Sequence, residues 1–428
     1  MALSRRQLMI RGGRLAIASA AGIWSLDRLA GSARGGEGLR KCISLGGPGP
    51  LREDGHPDDY RLWGNREYIR DASGTRWVKL WVSWYDLQQE IGFPPASRAG
   101  SWRHLNGAPG GQGWLRRLDR QIRAANDDRL GVILSIYHAY PTWASGATGP
   151  DPVDPSKSAE QKFPLDVSPN GPWAWFVAHL IARYRKGSPP NQRGPQDTFT
   201  EPGVGHDRCF GNPYGAAIDV LEICNEPNFL GWPQQGVVEM AGEMIRSATQ
   251  LSAALGGTPI LAPATSDFPD ATTRNARGVT ATVWSDFTLG VLGSLAGYRP
   301  RVPLRWSHHN YRDIRLGTER AREVLAMLRG AGWRSDVAPL WLTEGGLNLG
   351  RGAGDPVQRA VQAQAIEESF RRTMQPSGVY LWTQHTISDK PGNEFKSGLR
   401  DDFDWGRGPG RRRPAWSAWR DLPGAAPF

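Results

Sequence analysis

Short continuous apolar runs alternate along this chain with segments whose apolar residues recur every three to four positions. The first pattern predicts buried strands and the second amphipathic helices. Strands are predicted over Trp77 to Trp84, Gly131 to Ala139, Ala217 to Cys224, Pro259 to Ala264, Leu304 to His309, Leu340 to Thr343 and Gly378 to Thr383. A further, first strand is predicted near Cys42 to Leu45. Helices are predicted over Trp114 to Asn126, Trp173 to Arg185, Val237 to Leu255, Thr282 to Ala296, Thr318 to Gly330 and Val357 to Arg372, with Ala415 to Leu422 as a closing helix. Strand and helix alternating to the end is the form of a parallel βαβ unit repeated, which predicts an α/β fold, a (β/α)8 TIM barrel.

Three stretches rich in Gly, Pro and polar residues interrupt the rhythm: Glu90 to Gly113, Gly187 to Gly215 and Ile387 to Pro414. The first and third follow strands and are expected to rim the active face, while the second precedes a strand and is expected at the opposite face. None is long enough for a second domain. Residues 34–428 are therefore expected to form a single barrel domain with long loops.

The amino terminus changes the picture of where the chain works. Ser4-Arg5-Arg6-Gln7-Leu8-Met9 leads into a moderately apolar stretch from Leu15 to Leu26 and then Gly31-Ser32-Ala33, a small-residue cleavage pattern. This resembles a twin-arginine export signal over residues 1–33, with the mature protein periplasmic or extracellular. The apolar stretch falls short of the ~20 residues a spanning helix needs, so no stable membrane insertion is expected after its removal.

Removal of that segment also changes the charge. It holds Arg5, Arg6, Arg11, Arg14 and Arg28 against Asp27, so the net charge falls from +10 to about +6. Part of the remainder is Arg411-Arg412-Arg413, and no lysine-rich arm points to nucleic acid. Cys42, Cys209 and Cys224 have no metal-ligand spacing, and an odd number cannot pair completely within one chain. A Cys42 to Cys209 bridge is open on the sequence alone; Cys224 reads as packing, not as a nucleophile.

Candidate chemistry lies at the carboxyl ends of the predicted strands, the face on which barrel active sites are built. Glu226 closes the run Ile218-Asp219-Val220-Leu221-Glu222-Ile223-Cys224-Asn225-Glu226-Pro227-Asn228, and Glu344 closes Pro339-Leu340-Trp341-Leu342-Thr343-Glu344-Gly345-Gly346. Two carboxylates facing one pocket suffice for glycosidic bond cleavage. Asn-Glu-Pro by itself is equally a turn, and Gly345-Gly346 either lets a ligand approach the backbone or ends the strand. Other strand ends add His138 with Pro141-Thr142-Trp143, then His308-His309-Asn310-Tyr311, and Trp382 with Gln384 and His385. The nineteen tryptophans include plausible sugar-stacking platforms at Trp84, Trp143, Trp232 and Trp382, with most of the others expected in the core.

The order of Leu221-Glu222-Ile223-Cys224-Asn225-Glu226-Pro227-Asn228, Ser307-His308-His309-Asn310-Tyr311, Trp341-Leu342-Thr343-Glu344-Gly345 and Trp382 resembles that of retaining (β/α)8 glycoside hydrolases. It is similar to the cellulase-like family 5, with family 39 a close second, over nearly the whole mature chain. The resemblance implies Glu226 as acid/base, Glu344 as nucleophile, Asn225 as partner to the sugar 2-hydroxyl, Tyr311 as the residue orienting the nucleophile, and His309 and Trp382 as subsite residues. His138, Trp143 and Lys79 complete the expected substrate-binding set. Two positions depart from the family pattern. Lys79 stands where many members carry an Arg, keeping the charge without the planar fork, and Cys224 stands where many have Trp.

The sequence thus predicts an exported retaining glycosidase of β-linked poly- or oligosaccharides that needs no metal or cofactor. There is no His-Glu-x-x-His and no nucleotide-binding glycine fingerprint. Two other readings are a transglycosidase using the same covalent intermediate and a non-catalytic carbohydrate-binding barrel.

Overall fold

The computed structural model describes residues 39–45, 74–88, 95–98, 100–101, 105, 109–137, 140–145, 166–186, 215–229, 234–274, 278–333, 340–374, 378–389, 391–402 and 410–423. The predicted export signal, His138, Cys209, Trp232 and the Gly187 to Gly215 loop apart from Gly215 lie outside these residues.

Eight parallel strands close into a barrel in chain order. They are β1 (Arg40–Ser44), β2 (Trp77–Val82), β3 (Gly131–Ile136), β4 (Val220–Glu222), β5 (Ile260–Leu261), β6 (Leu304–His309), β7 (Leu340–Glu344) and β8 (Val379–His385). The ring is completed by β8 on β1, with Arg40 opposite Leu381 and Ser44 opposite His385. Among the described residues, seven longer helices accompany the strands: α1 (Pro109–Asp127), α2 (Pro172–Tyr184), α3 (Val237–Ala254), α4 (Trp284–Ser294), α5 (Arg320–Gly330), α6 (Pro356–Ser369) and α7 (Pro414–Asp421). Each strand and helix predicted from the sequence is present, with ends shifted by a few residues. The first predicted loop is shorter than expected because α1 begins at Pro109, where a proline's fixed φ suits a first helical turn.

Alternation along the strands sorts the apolar side chains into two cores. Cys42, Trp77, Ile133, Val220, Trp341 and Leu381 fill the barrel interior with Leu261. Their strand neighbours Ile43, Val78, Val132, Leu221, Leu342 and Trp382 face outward and pack with the helices. Cys42 and Cys224 are buried free thiols. Lys41 closes the bottom of the molecule: its Nζ donates to the main-chain carbonyls of Trp419, Arg420 and Leu422 at 2.9, 3.0 and 3.2 Å, capping the end of α7.

Above the apolar plug, the same inward alternation brings polar residues into a second layer. Lys79, Ser135, Glu222, Ser307, Thr343 and Thr383 are all fully buried. This layer is the floor of the candidate site.

Candidate active site

The ladder of β4 ends at Glu222, but pairing resumes in a bridge between Asn225 and Ala264, and Glu226 N donates to Ala264 O at 3.0 Å. The chain then turns sharply: Glu226 has φ 45°, a left-handed conformation that costs a non-glycine residue roughly 1–2 kcal/mol. Asn228 holds that turn. Its amide donates to Ser266 O at 3.0 Å and Thr282 O at 3.2 Å, and its Oδ1 accepts from Ser266 N at 2.9 Å. The result aims the Glu226 side chain at the barrel axis, where its Oε1 lies 2.7 Å from His309 Nδ1.

Glu344 arrives from the last residue of β7. Its Oε1 accepts from Lys79 Nζ at 3.0 Å and its Oε2 from the Tyr311 hydroxyl at 2.9 Å. His309 Nε2 stands 3.7 Å from Oε1, and His385 Nδ1 stands 3.9 Å from Oε2. One imidazole, that of His309, therefore lies between the two carboxylates. Gly345 and Gly346 are explained by their own protein neighbours: a Cβ on Gly345 would overlap the Asn310 amide, and Gly346, at φ 154°, passes against the main chain of His385.

The charges around Glu344 oppose the effect of its burial. Burial alone would raise the Glu344 carboxyl, but the His309, Lys79 and His385 charges and the Lys79 hydrogen bond outweigh it and hold the group below the ordinary carboxylate range. Burial likewise pulls His309 down, and the Glu344 and Glu226 carboxylates prevail and hold it above its usual value. Tyr311 is driven well above its usual value, first by burial and then by the Glu344 and Glu226 charges, so it remains a donor. The Tyr311 ring is fixed by stacking on Phe268, with centroids 5.3 Å apart and planes 20° from parallel, and by the edge of Phe395 at 5.6 Å.

The structure thus gathers Glu226, Glu344, Lys79, His309 and Tyr311 into one cluster, with Asn225 adjoining it in the chain. Asn225 is 3% exposed, and its Oδ1 has no hydrogen-bond partner among the described residues. Trp143 lies on the short helix Thr142–Ser145 after β3, edge-on to the buried Trp84 at 5.5 Å with its indole N–H on Gln88 O at 3.3 Å. No contact joins Trp143 to either carboxylate among the described residues. Trp84 itself is a core residue stacked on Phe176.

Trp382 does not stand at the site expected for it. It is completely buried on the outer side of β8, with its ring 5.2 Å from that of Trp419 on α7. A strand exposes alternate residues to each face, and the inward positions of β8 are Leu381, Thr383 and His385. His385 takes the place at the nucleophile, with Ser44 Oγ 3.2 Å from its Nδ1. Sequence reasoning also passed over Glu222, Ser135, Ser307 and Thr343, whose signal was a set of polar residues at inward positions of otherwise apolar strands.

Among the described residues, no group of three His, Cys, Asp or Glu side chains is placed to hold a metal ion, and no helix is long and apolar enough to cross a membrane.

No protein-family model matches the chain. No curated protein is similar to it in sequence. Solved structures do share its fold. A hyperthermophilic β-glucosidase mutant aligns at TM-score 0.52 and 11% identity, over 89% of this chain and 98% of that one. The protein described as GH5_18 from Streptomyces cattleya, solved in complex with GlcNAc, aligns at TM-score 0.50 and 16% identity, over 91% of this chain and 82% of that one. An exo-β-1,4-mannosidase from Opitutaceae bacterium strain TAV5 aligns at TM-score 0.45 and 14% identity, over 90% of this chain, which spans 58% of the mannosidase's length. At these identities the similarity lies in the barrel fold.

Proposed function

We propose that this protein is a retaining glycoside hydrolase of β-linked poly- or oligosaccharides, with Glu226 as acid/base and Glu344 as nucleophile. The observation that carries this reading is the unequal surroundings of two buried carboxylates on one barrel face. Glu344 is held by Lys79 and Tyr311 and flanked by His309 and His385, an environment that keeps the free carboxylate ionised. Glu226 meets a single side-chain partner, His309, among the described residues. Two acids with distinct surroundings are what a division between nucleophile and proton donor requires.

In the first step, protonated Glu226 gives its proton to the glycosidic oxygen as the bond from that oxygen to the anomeric carbon breaks. A Glu344 oxygen bonds the same carbon, forming a glycosyl ester. In the second, water attacks that carbon, Glu226 takes the water's proton, and the ester bond breaks to restore the Glu344 carboxylate. Asn225 supplies a buried amide beside the acid/base for a sugar hydroxyl.

One fold neighbour is a β-glucosidase and another was solved with GlcNAc, so aryl β-glucosides and β-N-acetylglucosaminides are the first substrates to try. The test is a panel of aryl β-glycosides and β-linked polysaccharides with wild type, Glu226→Gln and Glu344→Gln. Each substitution is expected to lower kcat by roughly a hundred- to ten-thousandfold, and the first product should keep the β configuration by NMR. Variants as active as the wild type would overturn the assignment. Added acceptor sugar distinguishes hydrolysis from transfer, and sugar binding without cleavage would favour a non-catalytic barrel. Export through residues 1–33 is part of the same proposal, tested by sequencing the amino terminus of protein recovered outside the cytoplasm.

A further inference from the structure

Beneath the nucleophile lies a buried carboxylate that the double-displacement mechanism does not use. Glu222 is completely buried inside the barrel. Its Oε2 accepts from the Ser135 hydroxyl at 2.6 Å and pairs with Lys79 Nζ at 2.7 Å. Its Oε1 accepts from Ser307 at 2.6 Å. Since the Ser307 proton points to Glu222, the Thr343 hydroxyl 2.6 Å away must donate to Ser307. A carboxyl met by these donors is an ionised one.

Lys79 therefore stands between two anions, 2.7 Å from Glu222 and 3.0 Å from Glu344. Its ammonium is a compact charge that must be shared, unlike a guanidinium fork that could serve each carboxylate with separate N–H groups. The share reaching Glu344 depends on how strongly Glu222 holds the other side. Among the described residues, the other charged or titratable groups facing Glu344 are His309 and Tyr311 from the β6 end and His385 from β8, and Glu226 faces it across His309.

We propose that Glu222 is a positioning residue for the nucleophile, fixing Lys79 between the two carboxylates and keeping its charge from neutralising Glu344. The inference rests on the catalytic reading above and adds to it the reason why a lysine serves at this position. With Glu222 made neutral, Lys79 pairs with Glu344 alone, and the nucleophile becomes both less basic and less reactive.

The test measures kcat and KM against pH on the aryl β-glycoside that the wild type cleaves fastest. Glu222→Gln should lower kcat about tenfold or more with KM within about threefold, and move the acid limb of kcat/KM to lower pH. Lys79→Met should move that limb the opposite way. Glu222→Asp keeps the charge and should keep the limb near its wild-type position even where kcat falls. Should Glu222→Gln fail to fold, Lys79→Met/Glu222→Gln removes both partners and leaves no unpaired buried charge. If Glu222 acts through Lys79, this double variant matches Lys79→Met in rate and profile.

An unmoved limb in Glu222→Gln, or a double variant about tenfold slower than Lys79→Met at equal melting temperature, would reduce Glu222 to a packing residue. Full activity in Glu344→Gln would instead remove the catalytic reading itself, so the two failures are distinct.

Discussion

Tyr311 donates its hydroxyl to Glu344 Oε2 at 2.9 Å, the oxygen opposite the one that Lys79 holds. Each oxygen of the proposed nucleophile thus has its own donor, and the attacking geometry is set before substrate arrives. A hydrogen bond to a charged group is worth about 1.5–3 kcal/mol. Tyr311→Phe should therefore lower kcat roughly ten- to a hundredfold, while circular dichroism and melting temperature stay close to wild type. Steady-state kinetics on the best aryl glycoside checks this.

Trp382 and His385 sit on the same strand and should behave in opposite ways. Trp382→Ala empties a fully buried site against Trp419 and should cost about 3–5 kcal/mol of stability. His385→Ala alters a side chain facing the Glu344 carboxylate, so its effect should fall on kcat or KM with a much smaller change in denaturation midpoint. Urea titration beside kinetics separates the two. A His385 variant with normal kinetics would place that side chain outside the working site.

His308, next to the proposed site but turned outward against Trp284, is pushed down to about 3, first by burial and then by the His309 and Arg320 charges. In the unfolded chain it binds a proton near its ordinary value of 6.5. Its folded value is the lower one, so its contribution to stability is fully present above pH 6.5 and is lost as the pH falls toward 3, at about 1.4 kcal/mol per pH unit. His308→Asn should flatten the acid side of the stability profile, measured by urea denaturation at a series of pH values.

Asp267 gives the reverse slope. Burial pushes its carboxyl up to about 8, against the Arg312 N–H that its Oδ2 accepts at 2.6 Å. With a folded value above the unfolded one, its stabilising contribution is complete below pH 3.8 and fades as the pH rises through 8. Asp267→Asn should remove that decline, so its stability relative to wild type should rise between pH 4 and 8 in the same denaturation series.

Lys41 tests how the bottom of the barrel is held. Lys41→Met keeps the stem but removes donors to three carbonyls at the end of α7, a loss of about 1–3 kcal/mol. Hydrogen exchange should show faster opening over Pro414–Asp421 with catalytic constants unchanged.

Much of this was legible from periodicity. The strand-helix alternation predicted the barrel, and Glu226 and Glu344 could be named because each follows an apolar run at the end that faces the site. The difficulty lay in parity. Trp382 is one residue away from an inward position, and in a strand a shift of one exchanges the barrel interior for the helix layer. Glu222 lies within the predicted strand Ala217 to Cys224 with no role of its own, although it is two residues along from the inward Val220. What hides such residues is that an inward polar group is satisfied by other strands: Ser135, Ser307 and Lys79 are far away in sequence and meet Glu222 only when the barrel closes. The left-handed turn at Glu226 left no signal either, because the Asn228 bonds that support it run to Ser266 and Thr282.

The pairing of β8 with β1 has a consequence for how the molecule comes into being. Ser44 and His385 are register partners near opposite ends of the chain, and Lys41 waits for carbonyls of Trp419 to Leu422. A nascent chain ending shortly after Gly346 already contains Glu226, His309, Tyr311 and Glu344, yet it has neither the wall that His385 supplies nor the strand that closes the ring. The proposed chemistry therefore needs the last strand, and carboxyl-terminal truncation before β8 is expected to yield a chain that keeps both acids and lacks a place for them to act.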